Sequence, residues 1–185
     1  MKTHTQPDRD AHSSGSVARL LQTFNQLCTR IPDSLIAFVG RFSIAAVFWK
    51  SGQTKVEGFV IDIVSGDIQL GWPHLSDSAV SLFREEYRLP LVPPELAAPM
   101  AAFAEHFFPL LILLGLATRL SAFALPGMTM VIQLLVYPGA YPTHGTWAAV
   151  LLFLIAHDPG KFSIDHWIAK RFSKVDYPAH IEACK

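Results

Sequence analysis

The chain has 185 residues, of which 51% are hydrophobic and 16% are charged, whereas soluble domains have about 25% charged residues. Its formal net charge is zero, which argues against nucleic acid as a partner, because such partners select basic surfaces. Apolar stretches occupy residues 34–48, 96–116, 120–137 and 145–156. Their hydrophobic residues cover all sides of a helix, as is typical of helices that face lipid. The composition therefore predicts an integral membrane protein.

The N-terminal region differs from the rest in being polar. Residues 1–16 are rich in serine and charged residues, which predicts a disordered tail. Residues 17–28 place apolar side chains at helical spacing, which predicts an amphipathic helix at the membrane surface. No apolar segment of the signal-peptide type follows the first charges. Residues 1–30 are therefore assigned to a tail with an amphipathic segment.

Residues 31–172 are assigned to the membrane domain. The first predicted span covers residues 34–49 and ends at Trp49 and Lys50, an aromatic and basic pair that is typical of a membrane interface. A long connection over residues 52–96 follows, with a short helix predicted at residues 77–87. Near the start of this connection, Lys55 is interpreted as a snorkelling lysine at the outer mouth of the bundle.

Three further spans are predicted at residues 94–116, 119–137 and 144–157. A short amphipathic helix at residues 164–172 follows, and residues 173–185 form a polar tail. The predicted fold class is all-α, a four-transmembrane-helix bundle with short amphipathic interfacial helices. More Lys and Arg residues fall on the side that carries both termini than on the other, which predicts both termini inside a bacterial cytoplasmic (inner) membrane.

Ionisable residues lie within two of these spans: Arg41 in the first, and Glu105 and His106 in the second. A charge at such a depth costs at least about 2.5–3.5 kcal/mol unless it is paired. Antiparallel spans would bring Arg41 and Glu105 to similar depths, so an Arg41–Glu105 pair is predicted, either as a structural ion pair or as part of a ligand site. His106 points about 100° away from Glu105 on a straight helix. A proton relay, a metal ligand, a quinone contact and a satisfied core histidine all remain open for it.

Further polar residues lie in the third span and the turn after it. Gln133 is interpreted as an interhelical hydrogen-bonding residue or a ligand contact of the buried polar site, and His144 as a residue of the outer mouth. No spacing of His and Cys residues predicts a metal site. Three methionines are soft ligands that suit a cuprous ion, or else core filler; they are Met100, Met128 and Met130.

Four segments in order resemble the DoxX family of small four-helix membrane proteins. They are GRFSIAAVFWKSGQTKVEG, AFAEHFFPLLILLGLATRLSAFAL, MTMVIQLLVYP and HGTWAAVLLFLIAHDPGKFSID, and the resemblance covers about residues 36–167. By carry-over, Arg41 and Glu105 match the intramembrane charged positions of the family, and Lys55 matches its polar turn. The resemblance assigns none of them a catalytic role.

The resemblance implies a redox-associated membrane component. One branch of the family pairs with thiosulfate:quinone oxidoreductase activity, and other members are associated with oxidative or thiol stress or with systems that make copper-handling peptides. A quinone, hydrogen-bonded by His106 or Gln133, and a partner oxidoreductase subunit are therefore expected. No flavin, haem or iron–sulfur motif occurs, so whether the chain is an enzyme stays open. The alternatives are a small transporter, a copper-handling protein and an assembly partner without catalysis, each as a monomer or a homo-oligomer.

Overall fold

The computed structural model describes residues 10–62 and 65–172, and side chains within residues 15–62 and 65–172. Its elements, in chain order, are α1 Asp10–Cys28, α2 Asp33–Gln53, β1 Val56–Asp62, β2 Asp67–Leu75, α3 Asp77–Leu82, a π-helical turn Phe83–Tyr87, α4 Pro94–Leu114, α5 Thr118–Leu135, a 3-10 turn Pro138–Ala140, α6 Tyr141–Ala156 and α7 Ile164–Phe172.

The predicted terminal tails lie mostly outside the described residues, at 1–9 and 173–185. Residues 10–16, predicted to be disordered, instead form the first turns of α1, and this part of the prediction is wrong. The amphipathic segment at residues 17–28 lies in the same helix. Once that segment is helical, each residue added at its end gains a backbone hydrogen bond without a new nucleation cost.

Helices α2, α4, α5 and α6 pack around one apolar core. Small side chains such as Ala37, Ala45 and Ala122 are buried there, which allows helix backbones to approach closely. On the outer faces, Phe123 and Leu134 are 72% and 68% exposed. Large apolar side chains that point outward in this way suit a lipid environment.

Within the described chain, three helices are long and apolar enough to cross a membrane: α2, α4 and α5. Helix α6 has 16 residues, fewer than the about 20 that a bilayer usually requires. The predicted fold class is therefore confirmed as mainly helical and membrane-spanning, with three candidate spans among the described residues.

The connection between α2 and α4 contains strands that an all-α fold class excludes, so that prediction is wrong here. Strands β1 and β2 form an antiparallel hairpin, because the segment VEGFVIDIVSGDIQLGW is rich in β-branched and aromatic residues on either side of a Ser-Gly turn, and its apolar residues alternate along β2. A bulge follows Glu57, where Gly58 has φ +80°. A Cβ at Gly58 would lie 2.5 Å from the Trp72 carbonyl oxygen, so the bulge requires glycine.

After the hairpin, α3 and the π-helical turn confirm the short helix predicted at residues 77–87. Ser76 caps α3, since its Oγ accepts a hydrogen bond from the Ala79 N–H at 3.1 Å. The buried Phe83 packs against Ala97 and Ala98 in the first turns of α4. Residues 76–92 thus cover the start of α4, and we call this segment the cap.

Candidate functional site

The C-terminal end of α2 lies unusually close to the middle of α4. A Cβ on Gly52 would lie 2.7 Å from His106 Cε1 and 3.1 Å from Glu105 Cβ, so only glycine allows this approach. Helix α2 ends directly afterwards, and the Lys55 N–H donates to the Gly52 carbonyl at 2.9 Å. The Lys55 side chain is thereby directed back toward α4.

Lys55 and Glu105 form a buried ion pair. The distance from Lys55 Nζ to Glu105 Oε2 is 2.6 Å, and each side chain is 4% exposed. The ammonium group also donates to the hydroxyl oxygen of Ser51 at 3.1 Å and to its carbonyl oxygen at 3.2 Å. An ammonium group has three donors, and all three have acceptors here. The opposite charge and the filled donors of the ammonium group are what make such a pair tolerable out of water.

The predicted Arg41–Glu105 pair is therefore wrong. Arg41 donates instead to backbone carbonyls, to Leu113 at 3.3 Å and to Phe162 at 2.7 Å. The last carbonyls of a helix lack intrahelical partners and carry partial negative charge, so they suit a guanidinium. They lie roughly two turns beyond Glu105 along α4. The interpretation of Lys55 as a snorkelling lysine is likewise wrong, because its side chain is buried.

Arg41 belongs to a corner between α4, α5 and α7. Gly115 ends α4 with φ +68°. The Asp165 carboxylate accepts hydrogen bonds from the Ala117 N–H at 2.8 Å and the Thr118 N–H at 2.9 Å, and the Asp165 N–H donates to the Gly115 carbonyl at 2.8 Å. Asp165 thus caps the start of α5 from α7, and this corner has an architectural role.

Removing this cap gives a first prediction. The substitution Asp165→Ala is expected to lower the free energy of unfolding by about 1–2 kcal/mol, because two N–H groups at the start of α5 lose their acceptor. Thermal unfolding in detergent, followed by circular dichroism, measures the effect. The charge-matched control Asp67→Ala, in the hairpin, is expected to change nothing measurable. Equal stability of the two variants would contradict the capping role.

His106 links α4 to the hairpin through hydrogen bonds that assign its tautomer. Its Nδ1 lies 2.7 Å from the Ala102 carbonyl oxygen and must donate. Gln53 Oε1 accepts from the Ile61 N–H at 2.8 Å, so the Gln53 amide presents its NH₂ to His106 Nε2 at 2.8 Å. Trp49 packs edge to face on the imidazole, with centroids 5.0 Å apart. Among the alternatives for His106, these contacts favour the satisfied core histidine.

Gln133 and His144 lie together at a second place, between α5 and α6. His144 Nδ1 lies 2.7 Å from Gln133 Oε1, and Gln133 Nε2 donates to the Pro138 carbonyl at 2.6 Å. The two residues line a pocket of about 240 Å³. The structure therefore separates the four residues predicted for one buried polar site. Glu105 and His106 adjoin Lys55 at the middle of α4, Arg41 lies at the C-terminal end of α4, and Gln133 joins His144.

An apolar cleft of about 250 Å³ lies between α4, α5 and the cap, and Glu105 is part of its wall. The other lining residues are Phe83, Tyr87, Leu89, Val92, Ala97, Met100, Ala101, Ala104, Phe108, Ala124, Leu125, Met128, Val131 and Ile132. Tyr87 was not predicted as a site residue. Its position at the end of the predicted short helix, just before the chain returns to the membrane, could have indicated that it lies near the bundle. Within the described ranges, no group of three or more His, Cys, Asp or Glu residues is arranged to hold a metal ion.

The fold consists of apolar helices that enclose a buried ion pair and an apolar cleft. These features identify the chain as an α-helical integral membrane protein. Comparison with known families is in agreement. The DoxX family model matches residues 36–138, which is more than half of the chain, and the chain belongs to the DoxX family. In two further comparisons, no curated protein and no solved structure matched it.

Proposed function

We propose that this chain is a redox-associated membrane subunit that binds a quinone in the cleft between α4, α5 and the cap. The observation that carries the proposal is the position of Glu105. Its side chain is paired with Lys55 at 2.6 Å and forms part of an otherwise largely apolar cleft wall. Small-molecule sites are typically apolar with a few placed polar groups that fix the ligand's orientation.

The chemistry of the cleft suits a quinone ring. The ring is uncharged, so its burial among alanine, leucine and phenylalanine side chains carries no charge-desolvation penalty. Its oxygens accept hydrogen bonds, which the hydroxyl group of Tyr87 in the wall can donate, and the Glu105 carboxylate can accept a hydrogen bond from an O–H group of the quinol form. These two residues replace His106 and Gln133, which were expected to bind the quinone from sequence but do not line this cleft.

The cleft also has an entrance that suits a lipid-soluble ligand. Two of its lining residues, Met100 and Val131, are 58% and 43% exposed on the apolar surface of α4 and α5. This surface belongs to two of the helices that are apolar enough to span a membrane. A quinone can therefore enter sideways from the bilayer, with its isoprenoid tail left among the lipid chains.

Interconversion of quinone and quinol transfers two electrons and two protons, so a redox role needs an electron donor or acceptor. In this proposal a partner oxidoreductase subunit fills that place, as the DoxX resemblance implies. A transporter, a copper-handling protein and an assembly partner are the competing functions. Each of them predicts that a quinone does not bind in the cleft.

The proposal includes a membrane arrangement. Helix α6 acts as a fourth span despite its 16 residues, because local thinning of the bilayer accommodates a short helix. Both termini then lie on the cytoplasmic side of an inner membrane, and the hairpin, the cap and the cleft face outward. Cysteine labelling from each side of a vesicle tests this arrangement.

Filling the cleft gives a second prediction. The substitution Ala104→Phe is expected to weaken binding of decylubiquinone at least tenfold, because the added ring occupies the space of the ligand. The measurement is quenching of tryptophan fluorescence in purified protein. The matched control is Ala148→Phe, which fills the pocket beside His144 and is expected to leave binding within twofold. Absence of binding to the wild-type protein, or equal binding by both variants, would refute the proposed site.

A further inference from the structure

The wall of the cleft contains two side chains that can exchange a proton, Glu105 and Tyr87. They differ in their access to the protein surface. Glu105 is directed toward Lys55, and both of these side chains are 4% exposed. Tyr87 is half-buried where the cap closes the cleft. A proton that leaves the cleft toward the surface therefore has Tyr87 as its first acceptor.

Tyr87 is connected to an exposed carboxylate through a second tyrosine. The rings of Tyr87 and Tyr137 pack edge to face with centroids 5.8 Å apart, so the two side chains are in direct contact. The Tyr137 hydroxyl donates to Glu86 Oε1, and Glu86 lies on the surface. Tyr87, Tyr137 and Glu86 thus form a series of neighbouring side chains that leads from the cleft wall to the surface.

The two phenols stay in the protonated form that this series requires. Burial raises the pKa of Tyr87, and the charges of Glu105 and Glu86 raise it further. The hydrogen bond to Glu86 raises the pKa of Tyr137 well above its ordinary value. A protonated hydroxyl group is both a donor and an acceptor. It can therefore accept a proton on one side while it gives up its own on the other.

We infer that Tyr87, Tyr137 and Glu86 form a proton pathway between the cleft and the protein surface. This inference rests on the proposed quinone site. When a quinol in the cleft is oxidised, two electrons pass to the partner oxidoreductase and the O–H bonds of the quinol break. The protons leave one at a time: each moves to the Tyr87 oxygen as the Tyr87 proton moves to Tyr137 and the Tyr137 proton moves to Glu86, which releases it to water before the next proton follows. Reduction of a quinone uses the same pathway in the opposite direction.

The test separates binding from proton transfer. Purified protein in detergent is loaded with a half-equivalent of decylubiquinol and mixed with ferricyanide in a stopped-flow instrument. Ferricyanide accepts one electron and no proton, so every proton that a pH indicator detects comes from the quinol. The compared proteins are wild type, Tyr137→Phe, Glu86→Gln and the control Glu85→Gln. The control removes the same charge from the neighbouring position of the π-helical turn.

Binding of decylubiquinol is expected to stay within twofold in all four proteins. Proton release is expected to slow at least fivefold in Tyr137→Phe and Glu86→Gln and to be unchanged in Glu85→Gln. Added imidazole, a diffusible proton acceptor, is expected to restore the rate of Glu86→Gln, which a purely structural defect would not allow. Unchanged release in Tyr137→Phe with normal binding would overturn the pathway alone. Failure of the wild type to bind would overturn the quinone site itself.

Discussion

Replacing Glu105 by glutamine is expected to lower the free energy of unfolding by about 3–5 kcal/mol, because it leaves the buried Lys55 ammonium without its counter-charge. Both side chains are 4% exposed and 2.6 Å apart, so water cannot compensate for the loss. Titration of the detergent-solubilised protein with sodium dodecyl sulfate, followed by circular dichroism, measures the change. This free energy is the cost of leaving one buried charge without its partner, and it is larger than the net contribution of the intact pair to stability.

Two further variants make this prediction specific. The control Glu95→Gln is the same substitution on the same helix, but Glu95 and its partner Arg84 are exposed, so little effect is expected. The double variant with Lys55→Met and Glu105→Met removes both charges and is expected to recover most of the lost stability. If Glu105→Gln were as stable as Glu95→Gln, the Lys55–Glu105 pair would not exist in the membrane.

Replacing Gly115 by alanine is expected to cost about 3 kcal/mol or more. Gly115 has φ +68°, and an L-residue in this left-handed region costs about 1–2 kcal/mol. The new Cβ would also lie 2.8 Å from Ser163 Cα and would collide with the guanidinium of Arg41. Arg41 would have to move from its carbonyl acceptors, and hydrogen bonds of charged groups contribute about 1.5–3 kcal/mol each.

The matched control is Gly127→Ala in α5, where a Cβ would meet nothing within 4 Å. Alanine is the better helix former by about 1 kcal/mol, so this variant is expected to be as stable as wild type or slightly more so. Thermal unfolding of both variants in the same detergent gives the comparison. If Gly115→Ala had the same melting temperature as Gly127→Ala, the contact of Arg41 with the C-terminal carbonyls of α4 would not contribute to stability.

The positions of the long apolar helices can be predicted from sequence because hydropathy is a local property. The predicted limits of residues 34–49 and 94–116 differ from α2 and α4 by a few residues, which reflects how apolar side chains sum along a helix. The hairpin was missed because its alternating residues lie between two spans, where the long apolar stretches dominate the pattern. Its bulge at Gly58 also interrupts the alternation.

The partners of the buried charges could not be read from sequence. The similar depths of Arg41 and Glu105 in the membrane suggested that they form an ion pair. A guanidinium group can also donate to carbonyl groups without partners, and the corner at Gly115 supplies such carbonyls to Arg41. Lys55 came after the end of the first span, so it resembled an ordinary interfacial lysine. Its burial depends on the close approach at Gly52, which is a consequence of how two helices pack.

The contact between Gln133 and His144 could not be predicted from sequence either. The two residues were assigned to different sites, but His144 Nδ1 lies 2.7 Å from Gln133 Oε1 in the structure. Eleven residues separate them, and the 3-10 turn Pro138–Ala140 reverses the chain between their helices. The orientation of two side chains across such a turn depends on the helix rotations, which hydropathy does not encode.

By itself, the amino-acid sequence determined that lipid is the solvent of this protein and where its apolar helices run. Both follow from the transfer of side chains out of water, which is summed residue by residue along the chain. Only the tertiary structure decided that Lys55 neutralises Glu105, that Arg41 binds the end of α4, and that a cleft opens beside the ion pair. Those outcomes depend on directional contacts between residues far apart in sequence, which a sum of side-chain hydropathies along the chain does not contain.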